Sequence, residues 1–173
     1  MINANPGIDP TKLRIGQKIN FGNVKEVIVQ PDIKEDDETS NSGDETIRSI
    51  QQTLNSRYKA GLNVDGFNGP KTKFALIKAL KTELNKQFNK KLVVDGKWGV
   101  KTKAAIVTVE KGAKGNLTWI LQAALYLEGF NPGSFDSIFG KGTESALYKF
   151  QKDKKMTADK KAGKDTFTKL FGA

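Results

Sequence analysis

Four short loops carry the residues whose types and spacing are best suited to binding chemistry. Each has the form Asp-x-x-x-Gly-x-x-Thr, and in chain order loops 1 to 4 cover residues 65–72, 95–102, 136–143 and 159–166. Each Thr precedes a helical pattern and is expected to cap the first helical turn, while each Gly is expected to supply a positive φ. Each Asp is expected to accept hydrogen bonds from its own loop. These roles are structural, so ligand contacts fall to the variable positions.

The loops and the helices beside them provide aromatic and polar side chains that suit a glycan or peptide ligand. Such ligands need flat aromatic surface together with hydrogen-bonding groups. Core packing is the competing interpretation, and it is favoured for Phe67 and Phe139 because small helical units are short of apolar area. Trp98 is balanced between the two interpretations, and Trp119 is expected to be exposed or at a joint between units. The candidate ligand-binding residues are Phe67, Asn68, Lys97, Trp98, Lys101, Trp119, Tyr126 and Phe139.

The composition excludes several kinds of active site. The 173 residues include no Cys and no His, so Ser-His-Asp and Cys-His nucleophiles are excluded and a zinc site is not expected. Each loop repeats a single Asp, whereas an EF-hand needs several carboxylates within twelve residues, so calcium is rejected. We therefore expect neither a metal nor a cofactor. A carboxylate pair such as Asp95 with Glu110 is left as a catalytic alternative.

Charge is distributed unevenly along the chain. Residues 1–46 contain five Lys and Arg against nine Asp and Glu, a net −4, whereas residues 47–173 contain 24 against ten, a net +14. A basic body attracts polyanions such as nucleic acid, anionic lipid or acidic cell-wall polymers. Solvated lysines on helix faces are the other explanation. Only three of the basic residues are Arg, which disfavours nucleic acid because base and phosphate recognition relies on Arg.

Apolar positions at helical spacing indicate two similar units after an acidic linker. Residues 31–46 are acidic and polar and are predicted to be a flexible linker. Units 47–112 and 113–173 each show helix, loop, helix, loop, helix, with a short third helix in the first unit from Ala104 to Val109. The sequence contains no run of about 18 apolar residues, so no membrane span is predicted, and no signal peptide is visible. The fold class is predicted to be mainly α, with two tandem, separable three-helix units.

Both units contain an ordered set of apolar, Gln and loop residues. In the second unit the set is Leu121-Gln122, Leu125, Gly129, Phe135-Asp136, Phe139-Gly140, Thr143, Phe150-Gln151, Met156-Thr157-Ala158-Asp159, Gly163 and Thr166. In the first it is Ile50-Gln51, Leu54, Val64-Asp65-Gly66-Phe67, Gly69, Thr72, Val94-Asp95-Gly96, Trp98-Gly99 and Thr102. Through these residues the second unit resembles the three-helix peptidoglycan-binding domain found beside many bacterial and phage cell-wall hydrolases. The first unit resembles it less closely, since Ala79-Leu80 stands in place of a Phe-Gln pair, and loop 4 has Lys160 where a Gly would follow the Asp.

This resemblance implies a non-catalytic attachment region that targets a separate amidase, muramidase or peptidase domain. The partners it implies are peptidoglycan, through its glycan or its peptide stem, and the parent catalytic domain; anionic wall polymers are a further candidate. It implies an extracellular location at the cell wall, or release at lysis as part of a phage endolysin. A catalytic fragment and a basic nucleic-acid-binding protein are the two alternatives.

The first 30 residues contain a second, separate pattern, formed by Asn3, Asn5-Pro6, Ile8, Leu13 and Gly16-Gln17-Lys18-Ile19. Through these residues the segment resembles the second half of a LysM module, a cell-wall glycan-binding unit. The resemblance covers about 20 residues and lacks the first strand and first helix, so this half is not expected to fold alone. We expect it to be disordered or ordered by self-association through Ile15, Ile19, Val27 and Val29.

Overall fold

The structure, a computed structural model, describes residues 43–172 and is mainly helical. Within these residues there are two isolated β-bridges and no strand. The predicted helical class is therefore confirmed for this part of the chain. The LysM-like segment and residues 31–42 of the predicted linker lie outside the described residues. The helices are α1 Glu45–Tyr58, α2 Pro70–Phe88, α3 Val100–Ala105, α4 Asn116–Leu127, α5 Lys141–Asp153 and α6 Lys164–Phe171.

The first helix begins inside the segment that the sequence assigned to the linker. Asp44 is its N-cap, and the Asp44 carboxylate accepts a hydrogen bond from the Ile47 N–H at 2.9 Å. The Asp44 N–H donates to the Gly66 carbonyl at 2.9 Å, so the entry to α1 is fixed against loop 1. Asp44 was one of two predicted caps, but residues 43–46 belong to the packed body and not to a flexible linker.

Helix α4 runs through the centre of the described residues. Its nine residues from Leu117 to Leu125 are all buried, so α4 has no solvent-facing side over this length. A helix buried all round must be surrounded by other elements. Helix α2 packs against it from the first half of the body and α5 from the second.

All described residues fall in one compact unit with one contiguous hydrophobic cluster. The sequence predicted two units with separate cores. The difference arises because α4 carries Trp119 and Ala123 in addition to its expected apolar stripe, and both are buried at 3% and 0% exposure. Whether each half also folds by itself stays a prediction.

A short backbone contact joins the end of the first half to loop 4. The third helix ends at Ala105, earlier than the predicted Val109. Val109 instead forms a β-bridge with Ala162, in which the two N–H groups donate at 3.0 and 2.8 Å. Helix α3 packs against α6, so this corner also draws the halves together. No helix among residues 43–172 is long and apolar enough to cross a membrane.

Candidate functional site

A buried glutamine on the preceding helix organises three of the four loops. In loop 1, the Gln51 side-chain amide donates to the Asp65 carboxylate at 2.8 Å, to the Phe67 carbonyl at 3.2 Å and to the Thr72 hydroxyl at 3.3 Å. The Gln51 carbonyl oxygen accepts from the Gly66 N–H at 2.9 Å. Gln51 is 2% exposed. One side chain therefore forms hydrogen bonds with groups at both the start and the end of the loop.

Loops 3 and 4 contain the same arrangement. Gln122 is 14 residues before Asp136 and donates to it at 3.1 Å, and its carbonyl accepts from the Ser137 N–H at 3.1 Å. Gln151 donates to Asp159 at 2.8 Å. Both glutamines also donate to the loop carbonyl two residues after the Asp and to the loop Thr. The repeat found in the sequence is thus a repeated hydrogen-bond network.

Two of the roles predicted within the loops are wrong. Each Thr is the third residue of its helix and is buried, so it does not cap the helix. The loop Gly is the N-cap and has extended backbone, with φ of −98° at Gly69. The positive φ belongs to the residue after the Asp, with 76° at Gly66 and 63° at Ser137. The predicted role of the Asp is confirmed, since each Asp accepts from the N–H two residues on.

Loop 2 differs because a buried lysine replaces the glutamine. The Lys81 ammonium group, 5% exposed as a residue, donates to the Asp95 carboxylate at 2.5 Å. An ammonium group has no acceptor, so it cannot bind the Gly96 N–H as the glutamines bind the equivalent groups. The register also corrects the sequence comparison: Leu80-Lys81 stands where the Phe-Gln pair was expected, and not Ala79-Leu80.

In loops 1 to 3 these contacts favour the ionised form of the Asp side chain. The hydrogen bond from the Phe67 N–H, followed by that from Gln51, lowers the pKa of Asp65. The Ile138 N–H and then Gln122 lower the pKa of Asp136. The hydrogen bond from Lys81 is the largest cause of the lowered pKa of Asp95.

The carboxylate pair considered for catalysis is engaged elsewhere. Asp95 is bound to Lys81, and Glu110 pairs with Lys161 at 3.0 Å. A general acid needs a raised pKa, whereas that of Asp95 is lowered. Asp95 therefore lacks the electrostatics of a general acid. Among the described residues, no cluster of three or more acidic side chains has the geometry of a metal site.

The predicted contact residues divide into buried and accessible groups. Phe139 is 1% exposed and Trp119 is 3% exposed, so neither is available to a ligand in this structure. Arg57 from α1 lies 5.3 Å over the Trp119 ring, so Trp119 is at the joint between the halves but is not exposed. Phe67 was favoured as core, yet it is 47% exposed.

The other predicted residues lie on the surface or at its edge. Lys97 and Lys101 are exposed beside loop 2. Trp98 is half-buried, with its ring centroid 5.9 Å from that of Phe171. Tyr126 is half-buried, and its hydroxyl donates to the Asp44 carboxylate at 2.7 Å.

Asn68 links the two halves directly. Its side-chain amide donates to the Leu127 carbonyl of α4 at 2.7 Å. Beside it is a cavity of about 310 Å³, which we call the joint cavity. It is lined by Lys73 of α2, by Leu127 at the end of α4 and its C-cap Glu128, and by Phe171 of α6. Sequence reasoning did not identify Lys73, Glu128 or Phe171, because residues so far apart in the chain show no common pattern.

A second cavity lies beside loop 4. It has a volume of about 540 Å³ and is lined by Lys103, Lys161, Lys164 and Lys169 together with two carboxylates. Lys103 pairs with Asp165 at 3.1 Å. Two of its four lysines are therefore engaged by acidic partners, Lys161 by Glu110 and Lys103 by Asp165.

In a comparison with known protein families, one family matches part of this body. Residues 114–170 match the family described as putative peptidoglycan binding domain. These residues contain loops 3 and 4 and helices α4 to α6. The resemblance read from the second unit is therefore confirmed at the level of the family.

Similar proteins are much longer than this chain. The uncharacterized protein FadG of Bacillus subtilis is 29% identical over 113 residues, which is 62% of this chain and 20% of FadG. The uncharacterized protein YbfG of the same organism is 51% identical over 37 residues, which is 21% of this chain and 5% of YbfG. The chain thus spans a fifth or less of the curated relatives that it matches.

One solved structure is also similar. It is described as a peptidoglycan-binding protein from Clostridioides difficile in complex with glutamine hydroxamate. The identity is 35%, with 38% of this chain and 40% of that chain covered and a TM-score of 0.36.

Proposed function

We propose that this chain is a non-catalytic peptidoglycan-binding region that targets a cell-wall hydrolase to its substrate. The observation that carries the proposal is the family match over residues 114–170. The first half repeats the same loop network through Gln51, Asp65 and Thr72. Both halves are thus built on one local design, which supports extending the binding role beyond the matched residues.

The charge of the body supports attachment to the wall. Residues 47–173 carry a net +14, and their lysines are mostly exposed. Long-range attraction to the anionic polymers of a cell wall would speed association and add a salt-sensitive component to binding. A cell-wall location, with the chain acting as an accessory to an amidase, muramidase or peptidase domain, follows from this proposal.

The proposal is tested by retention on insoluble peptidoglycan. We expect the full chain to sediment with purified wall at low salt and to be released in part as salt rises, while the turbidity of the suspension stays constant because no bonds are cut. DNA-cellulose serves as the polyanion control. Retention on DNA with none on peptidoglycan would contradict the proposal, and falling turbidity would contradict its non-catalytic part.

A further inference from the structure

The joint cavity brings three kinds of chemistry together from three helices. Its floor is apolar, with Leu76 from α2, Leu127 from α4 and Phe171 from α6. Its polar lining residues are Lys73, Glu128 and Asn68. At about 310 Å³, it lies at the lower end of the range for small-ligand sites.

The two charges in this cavity differ in how they are engaged. Lys73 is half-buried, and among residues 43–172 no carboxylate forms an ion pair with it. Glu128 uses one oxygen to pair with Lys154 at 3.4 Å, which leaves its second oxygen for another donor. A cation and an anion in one cavity complement a ligand that carries the opposite pair of charges.

The Asn68 side chain adds a directional group. Its amide nitrogen is committed to the Leu127 carbonyl at 2.7 Å. The remaining atom, Oδ1, accepts hydrogen bonds and therefore suits a ligand N–H group. A peptide offers such N–H groups between its charged ends.

The aromatic side chain in the cavity does not provide a sugar platform. Phe171 is 4% exposed, and its ring packs against Trp98 at 5.9 Å and Phe167 at 6.1 Å. Sugar rings stack on open aromatic faces, and a ring enclosed in this way offers none. The apolar floor suits small aliphatic side chains instead.

We propose that the joint cavity binds the peptide part of the wall, specifically a short peptide with a free carboxylate held by Lys73. Asn68 accepts from a peptide N–H, and Glu128 receives an amino group. This inference rests on the proposed function and names its ligand class. It also gives the packing of α2 on α4 a role, because the cavity exists only where the halves meet.

The test compares three soluble probes by calorimetric titration of the full chain. The probes are a synthetic peptide of wall-stem composition with a free C-terminal carboxylate, the same peptide as its C-terminal amide, and an N-acetylglucosamine oligomer. We expect the acid to bind about tenfold more tightly than the amide, a difference of about 1.4 kcal/mol, because the amide cannot form a hydrogen bond between two charged groups with Lys73. The glycan oligomer should not bind in the cavity and should not reduce binding of the peptide acid when both are present.

The variant Lys73→Gln should abolish the difference between acid and amide, and Lys73→Arg should keep it. Lys103→Gln is the matched control, since Lys103 follows Gly99 at the same spacing as Lys73 follows Gly69 but pairs with Asp165. The control should keep the full preference for the acid. Melting temperatures of all variants establish that they are folded.

Several outcomes would overturn this assignment. They are equal binding of acid and amide by the wild type, an unchanged preference in folded Lys73→Gln, binding of the glycan in place of the peptide, and no peptide binding up to millimolar concentration. If any of these occurs while the chain still sediments with insoluble wall, the peptide assignment fails and the proposed function stands. If the chain prefers the acid to the amide but does not sediment with insoluble wall, the proposed function fails and the peptide site stands.

Discussion

At the scale of single residues, the repeated feature is a side-chain amide enclosed by a loop. The Gln51 side chain makes three donor contacts and one acceptor contact while 2% exposed. Few residue types can do this, because the task requires a donor pair and an acceptor on one flexible side chain. In loops 1, 3 and 4 one glutamine therefore connects the Asp at the start of the loop with the Thr at its end.

Replacing this residue should be costly for stability. We expect Gln51→Ala to destabilise the fold by about 2–3 kcal/mol, because buried groups of the loop lose their partner. Gln52→Ala is the matched control, since Gln52 is the exposed neighbour on α1 and should change stability by less than about 0.5 kcal/mol. Chemical denaturation of both variants measures the difference, and equal losses would refute the role of the network.

The Lys81–Asp95 pair predicts a response to acid. In the folded state, Lys81 lowers the pKa of Asp95 below its unfolded value of about 3.9. As pH falls, the unfolded chain therefore takes up this proton first, so the stabilisation is present above about pH 4 and is lost as pH falls through the folded pKa.

Replacing Asp95 should remove this response. We expect Asp95→Asn to show a smaller drop in melting temperature between about pH 5 and pH 3 than the wild type, because the variant has no proton to take up at this position. Asp153→Asn, at the exposed end of α5, is the control. Parallel melting curves for Asp95→Asn and the wild type would show that the pair has no part in acid stability.

At the scale of elements, the loops share one turn of the backbone although the residue at that turn differs between them. A Cβ at Gly66 would lie 2.5 Å from the carbonyl carbon of Gly43, and the φ there is 76°. Ser137 occupies the same place in loop 3 with a φ of 63°. The same turn is thus built with a glycine in one half and a serine in the other.

Exchanging these two residues gives opposite expectations. Gly66→Ser should destabilise the fold by more than about 1 kcal/mol, because it combines left-handed strain with a backbone clash. Ser137→Gly should be neutral or slightly stabilising, because it relieves the strain. Thermal unfolding of the two variants provides the comparison, and a tolerated Gly66→Ser would show that the entry to α1 is loosely held.

Most of the helices and loops were predictable from the sequence, whereas the tertiary contacts between them were not. Helical spacing located α1, α2, α4, α5 and α6 because each has a one-sided apolar pattern, and the Asp-to-Thr repeat located the loops. The buried roles of Gln122 and Thr143 were hidden, since polar side chains on a helix usually face water. The joint cavity was beyond sequence reasoning, because Lys73, Glu128 and Phe171 are brought together only by the packing of three helices.

At the scale of the whole molecule, the packing of the two halves determines where a ligand site can be. Trp119 lies in the second half and is covered by Arg57 from the first, whose side chain also reaches Asn116 at 3.3 Å. Cutting the chain between the halves would expose the face of α4 that meets α2. The isolated second half should therefore be less stable than the intact body.

Fluorescence can measure this directly, because each half contains one tryptophan. In full-length Trp98→Phe, only Trp119 emits, and we expect the emission of a buried indole. In the fragment 113–173 we expect red-shifted emission or self-association in sedimentation. A monomeric fragment with unchanged emission and a cooperative melt would instead support the separable units predicted from sequence.

The central claim is that this chain recognises peptidoglycan and is not merely attracted by charge. The most direct measurement is binding to purified wall from which the anionic polymers have been stripped, followed from low to high salt. We predict that retention weakens as salt rises but persists on the stripped wall. Complete loss of retention once those polymers are removed would contradict the claim and leave a basic protein that binds polyanions.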